Sequence, residues 1–125
     1  MNLTEYFEKT NGRGVLSTAD ASGRVNAALY ARPFVIDEQT IVFIMAERLT
    51  HANLRENPHA VYLFMESTAG VSGKRLYIKM LREEASDDMA ETVCRRCDYT
   101  FQQTDMTRYV VYFRIEKVLP LIGSA

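Results

Sequence analysis

The sequence predicts a mainly β domain, a small antiparallel barrel of six to seven strands with short helices that pairs with a second copy of itself. Three observations carry this expectation. Apolar or alternating runs of strand length recur between turn-forming clusters, in an order dominated by hairpins. No strand–helix–strand unit repeats, which argues against a doubly wound sheet. The runs at residues 41–45 and 61–65 are apolar at nearly every position. A strand with one wet face would alternate, so these are covered on both sides, inside by a barrel core and outside by helices or a second subunit.

Composition narrows the class further. A chain of 125 residues is one domain, large enough to build a core without disulfides or metals. With 47% apolar and 25% charged residues it is ordinary globular material. A net charge of −1 provides no broad basic field, so neither nucleic acid nor an anionic membrane is an expected partner. The sequence shows no secretory charge-and-apolar pattern and no apolar stretch of membrane-spanning length, so a soluble, cytoplasmic protein is expected.

Residues 2–11 read as a first helix. Leu3, Tyr6 and Phe7 follow the i, i+3, i+4 spacing, and Asn2 with Glu5 forms a capping-box pattern. Gly12-Arg13-Gly14 should stop it. Residues 15–19 form a strand, Asp20-Ala21-Ser22-Gly23-Arg24 a hairpin turn, and residues 25–31 the returning strand. Arg32-Pro33 breaks the ladder, because proline has no amide to donate. Residues 34–36 continue, 37–39 turn, and 40–46 go back. Beyond the segment at 48–58, residues 60–66 form another strand and 67–73 a loop. In 76–82, Leu76, Ile78 and Met80 share one face, with Tyr77, Lys79 and Leu81 on the other. Ser86 should cap a third helix, whose first turn holds Asp87 and Asp88 and whose last holds Arg95 and Arg96, as the helix dipole favours. Residues 109–118 close the set, followed by the apolar tail Leu119-Pro120-Leu121-Ile122.

Residues 48–58 are the functional focus. Arg48-Leu49-Thr50-His51-Ala52-Asn53-Leu54-Arg55-Glu56-Asn57-Pro58 reads as a short helix between two buried strands. Thr50 is the expected N-cap, with Leu49 and Leu54 as a hydrophobic staple. Asn57-Pro58 ends the helix, because proline disfavours helical geometry in the residue before it. Unpaired amides and a partial positive charge at the helix start suit a phosphate, and Arg48 and His51 add donors there.

Several stretches resemble one known family. Gly14-Val15-Leu16-Ser17-Thr18-Ala19-Asp20, then Gly23-Arg24-Val25-Asn26, resemble the opening hairpin of the pyridoxamine 5′-phosphate oxidase-like, FMN-binding split-barrel family. Ile41-Val42-Phe43, Asn53-Leu54-Arg55-Glu56-Asn57-Pro58 and the strand after them match the next part of that pattern. Gly73-Lys74-Arg75-Leu76-Tyr77-Ile78-Lys79 resembles the family's G-x-x-L-x-x-x-G strand, with Met80-Leu81 where many members have glycine.

The resemblance implies a split barrel, a homodimer, and FMN at the subunit interface. It implies phosphate contacts from Arg48, Thr50 and His51, with Leu49 between them, where many members carry a Lys-Thr or Lys-Ser pair. Asn26, Ala27, Ala28 and Leu29 would line the flavin ring, largely through backbone groups, with Tyr30 and Arg32 close by. Lys74 could reach the phosphate or protect an edge strand. The implied activity is that of a small flavin-dependent oxidoreductase or electron carrier with an unidentified small-molecule substrate or redox partner. A true pyridoxamine 5′-phosphate oxidase is longer and carries further substrate-phosphate arginines. The alternatives are a cofactor-free dimeric interaction module on the same fold and a haem-binding variant.

Other candidates point to structure. Cys94 and Cys97 stand i, i+3 in the interior of an expected helix, away from the amides that would stabilise a thiolate, and two thiols leave a zinc site incomplete. They read as free thiols. No serine–histidine–acid or paired-carboxylate spacing emerges, so any redox chemistry would belong to a cofactor.

Overall fold

In the computed structural model, which describes residues 2–85 and 108–123, the elements in chain order are α1 (Leu3–Lys9), β1 (Gly12–Ala19), β2 (Val25–Tyr30), β3 (Phe34–Asp37), β4 (Thr40–Ala46), α2 (Leu49–Glu56), β5 (His59–Glu66), β6 (Gly73–Ala85) and β7 (Arg108–Pro120). The third helix expected after Ser86, with Cys94 and Cys97, lies outside the described residues.

The seven strands form one antiparallel sheet in the order β2-β1-β5-β6-β7-β4-β3. Its two edges, β2 and β3, are joined directly by residues 31–33, so the sheet curls until they are a short link apart. Inside the curl the Phe43 ring of β4 lies 4.8 Å from Tyr62 of β5 and 5.7 Å from Tyr30 of β2. In the sheet itself, β6 and β7 separate β4 from β5. These contacts across the interior make the sheet a barrel, split between β2 and β3.

Leu16, Ile41, Tyr62, Phe64, Leu76 and Phe113 fill the interior, each essentially inaccessible to water. Full burial of a large apolar side chain contributes about 1.5–3 kcal/mol, so this layer dominates the stability. The Tyr62 hydroxyl stays satisfied by donating to the Tyr30 and Ala31 carbonyls, each at 3.1 Å. On the opposite face of β4 and β7, Val42, Ile44, Val110 and Tyr112 form a second buried cluster with Phe34 packed against it. The double-sided apolarity of β4 thus has a structural use on each side.

Helix α1 is fastened at its start. The Asn2 side chain accepts from the Glu5 amide at 3.0 Å, and Glu38, in the turn after β3, accepts from the Leu3 amide. Only half of the expected capping box forms, because the Glu5 carboxylate accepts from Lys9 at 2.6 Å instead. Phe7 packs edge-on against Phe64 at 5.2 Å, which pins the helix to the barrel.

Several boundaries differ from expectation, each for a tertiary reason. Gly12 and Gly14 do not stop α1 but open β1. A Cβ on Gly14 would lie 2.0 Å from the Tyr62 hydroxyl, and one on Gly12 would lie 2.5 Å from the Phe64 ring. The glycines leave room for core aromatics. Strand β6 begins at Gly73 and continues to Ala85, and β7 absorbs Leu119 and Pro120 of the apolar tail, because each pairs along most of the other's length. The β6–β7 register shifts twice, once across Met80 to Arg82, which increases local twist and leaves Leu81 outward. Helix α2 begins two residues earlier than expected. Arg48 occupies its N-cap, Thr50 lies within the first turn, and Leu49 is exposed rather than stapled to the buried Leu54.

Candidate functional site

The first turn of α2 faces the edge strand β2, and this juxtaposition gathers most of the expected residues. The helix packs against β1, β2 and β4. Its hydrogen-bond ladder starts at the Ala52 amide, which donates to the Arg48 carbonyl at 3.0 Å. The amides of Leu49, Thr50 and His51 precede that bond, so helix geometry leaves them without intrahelical acceptors. Arg48 makes no side-chain capping bond and its side chain is exposed. The helix therefore opens with free amides and a guanidinium, and it has no acid in its first turn to neutralise them.

Thr50 ties this turn to β2. Its hydroxyl oxygen accepts from the Asn26 amide group at 3.4 Å and is hydrogen-bonded to Tyr30. Burial pushes the Tyr30 phenol up, while the bond to Thr50 and the charge of Arg48 pull it back only in part. The phenol is therefore neutral across the physiological range. One turn on, the Asn53 side chain donates to the Thr18 hydroxyl at 3.1 Å, fastening the helix to β1 as well. Asn26, Ala28 and Tyr30 are half-buried, while Val25, Ala27 and Leu29 on the alternate face of β2 are exposed, Leu29 at 66%. Because β2 is an edge, one row of its backbone N–H and C=O groups has no strand partner.

His51 goes inward. Its ring is 1% exposed and lies nearly parallel to Tyr109 of β7, 4.1 Å between centroids. Nε2 meets the carboxylate of Glu83 from β6 in a short hydrogen bond, and Nδ1 is buried with no hydrogen-bond partner among the described residues. Arg55, one turn further along, places Nε 3.7 Å from the same carboxylate and its guanidinium 5.7 Å from the Tyr109 ring.

Two expected residues lie elsewhere. Arg32 donates to the Phe7 and Thr10 carbonyls at 3.0 and 3.1 Å, satisfying the last turn of α1. Lys74 sits 4.6 Å above the Tyr6 ring, whose hydroxyl donates to Glu66 at 2.5 Å. Burial, then the bond to Glu66, pushes that phenol far up.

Glu83 and Thr18 belong to the surroundings of the turn, yet nothing in the sequence gave either a role there. Asn53 carried a faint signal, since an asparagine inside a short helix is a poor helix former unless a tertiary bond uses it. Among the described residues no group of three or more histidine, cysteine or acidic side chains could hold a metal, and no helix is long and apolar enough to cross a membrane.

Comparison with known proteins agrees with this architecture. The family model described as pyridoxamine 5′-phosphate oxidase matches residues 4–120. An FMN-binding protein from Syntrophomonas wolfei subsp. wolfei is 22% identical, with a TM-score of 0.77 over 98% of this chain and 85% of that one. An F420 reductase gives a TM-score of 0.77 at 12% identity, over 92% of this chain and 94% of that one. HupZ from Group A Streptococcus gives 0.72 at 15% identity, over 95% and 91%. At these identities the likeness is one of fold. Among curated proteins, none matches the chain in sequence.

Proposed function

The chain belongs to the pyridoxamine 5′-phosphate oxidase-like family, and on that premise we propose that it binds FMN and works as a small flavin-dependent oxidoreductase or electron carrier. The observation that carries this reading is the uncapped first turn of α2 set against the free edge of β2 through Asn26, Tyr30 and Thr50. A flavin mononucleotide needs both parts, an anion site for its phosphate and a row of backbone donors and acceptors for the polar edge of its ring. An FMN-binding protein of the same fold, at 22% identity, adds support.

In this reading the amides of Leu49, Thr50 and His51 and the Arg48 guanidinium hold the phosphate. The backbone of Asn26, Ala27, Ala28 and Leu29 follows the ring, and Tyr30 keeps a neutral hydroxyl beneath it. Arg32 and Lys74 are engaged with α1, so the proposed set leaves them out. Bound FMN supplies one- and two-electron transfer, and the protein's part is binding, orientation and exclusion of water. A second copy of the chain covers the exposed face of β2, where Val25 and Leu29 are 77% and 66% accessible. The cofactor then lies between the subunits.

The visible spectrum of the purified protein, followed by titration with FMN, tests this. A flavin band, or uptake of added FMN, is expected. A colourless protein that takes up none overturns the proposal in favour of a cofactor-free module, and a Soret band would do so in favour of haem.

A further inference from the structure

We propose that Glu83 is a positioning residue for the phosphate, acting through His51 to hold the first turn of α2 in register. This rests on the FMN reading above and adds a residue that neither helix nor edge strand supplies. The first turn has no side-chain cap, and an uncapped helix end frays unless something else holds it. Here, beside the contact of Thr50 with β2, the third helical residue holds it. The His51 ring leaves the helix for a closed slot, stacked on Tyr109 at 4.1 Å and 14° and bonded through Nε2 to Glu83. Those partners come from β7 and β6, adjacent strands in the middle of the sheet, so the turn is referred to the most extensively paired part of the barrel. Glu83 also faces Arg55 at 3.7 Å, and one carboxylate thereby grips two successive turns of the same helix.

Among the described residues no other side chain bonds the His51 ring. With the carboxylate as acceptor, Nε2 is the donor of this bond. Because Nδ1 is already without a partner among the described residues, losing Glu83 leaves neither ring nitrogen with a partner among them. Turning the ring over restores nothing. A buried polar group left so is costly enough to drive the ring toward water and drag the turn with it. The amides of Leu49, Thr50 and His51 would then no longer converge on one anion.

The consequence is selective. Riboflavin has the ring of FMN without the phosphate, and so does not use the turn. The test is the affinity of the full-length wild type, Glu83→Ala and Glu83→Gln for FMN and for riboflavin, read by flavin fluorescence. Glu83→Ala should weaken FMN about tenfold or more while riboflavin changes by less than about twofold. Glu83→Gln keeps an oxygen that accepts from Nε2 and should restore most of the preference for FMN. Should Glu83→Ala fail to fold, Tyr109→Leu removes the other side of the slot and should show the same selective loss. Equal weakening of both flavins, or unchanged FMN affinity, overturns this inference alone. A wild type that binds no flavin overturns the functional reading, and this inference with it.

Discussion

A methyl group on Gly14 would meet the Tyr62 hydroxyl at 2.0 Å, and that hydroxyl is already held by two carbonyls across the barrel. Tyr62 is fully buried and has nowhere to move. Gly14→Ala should therefore cost about 1–3 kcal/mol through overpacking, visible as a lower urea midpoint with an unchanged m-value. Arg48 lies at the other extreme, exposed and uncommitted to any capping bond. Its removal should leave the fold intact. If its guanidinium meets the phosphate, Arg48→Ala should weaken FMN binding about tenfold, the scale of a lost charge-assisted hydrogen bond. Isothermal titration gives the number, and an unchanged affinity would leave the helix amides as the sole anchor.

The β1–β2 hairpin and α2 are the elements on which the proposed site depends, and they are stabilised differently. In the hairpin turn, one Asp20 carboxylate oxygen accepts from the Ser22 amide and hydroxyl and from the Arg24 amide, with Gly23 at φ 88° completing the reversal. The Ser22 hydroxyl, then the Arg24 amide, holds this carboxyl below the usual carboxylate range. A depressed acid contributes its stability above the unfolded value and loses it as pH falls through the folded one. The turn should thus be intact at neutral pH and loosen only in acid. A carbon-13 titration of the Asp20 carboxyl should give a midpoint below that of a free aspartate, and an unshifted midpoint would remove these bonds from the account. Helix α2 is too short to stand on propensity. It is held by Leu54 in the core, by Asn53 on Thr18 and by His51 in its slot.

At the scale of the molecule, the barrel's split leaves one edge strand with apolar side chains in water, an arrangement that invites pairing or coverage. If a second copy covers this edge, as proposed, Val25→Lys should lower the mass seen by light scattering from dimer to monomer and weaken FMN binding together with it. A monomer that keeps full affinity would place the flavin within one chain. Much of this architecture was legible beforehand. The β1–β2 hairpin, the extent of β4, the break at Arg32-Pro33 and the helix before Pro58 are written in local terms, since strand period, turn chemistry and proline act over a few residues. What only the tertiary structure decided concerns side chains whose partners lie far along the chain. Arg32 turns to α1 rather than to the edge of β2, Gly12 and Gly14 yield to aromatic rings on β5, and Thr50 gives up the N-cap to Arg48 and bonds to β2. His51, expected to add a donor at the helix mouth, is buried because Glu83 and Tyr109 arrive from strands that the helix meets only once the sheet has curled. The positively biased opening of the segment at 48–58 could be read from its own residues, but what holds it in place could not, because burial and ring stacking are properties of the closed barrel.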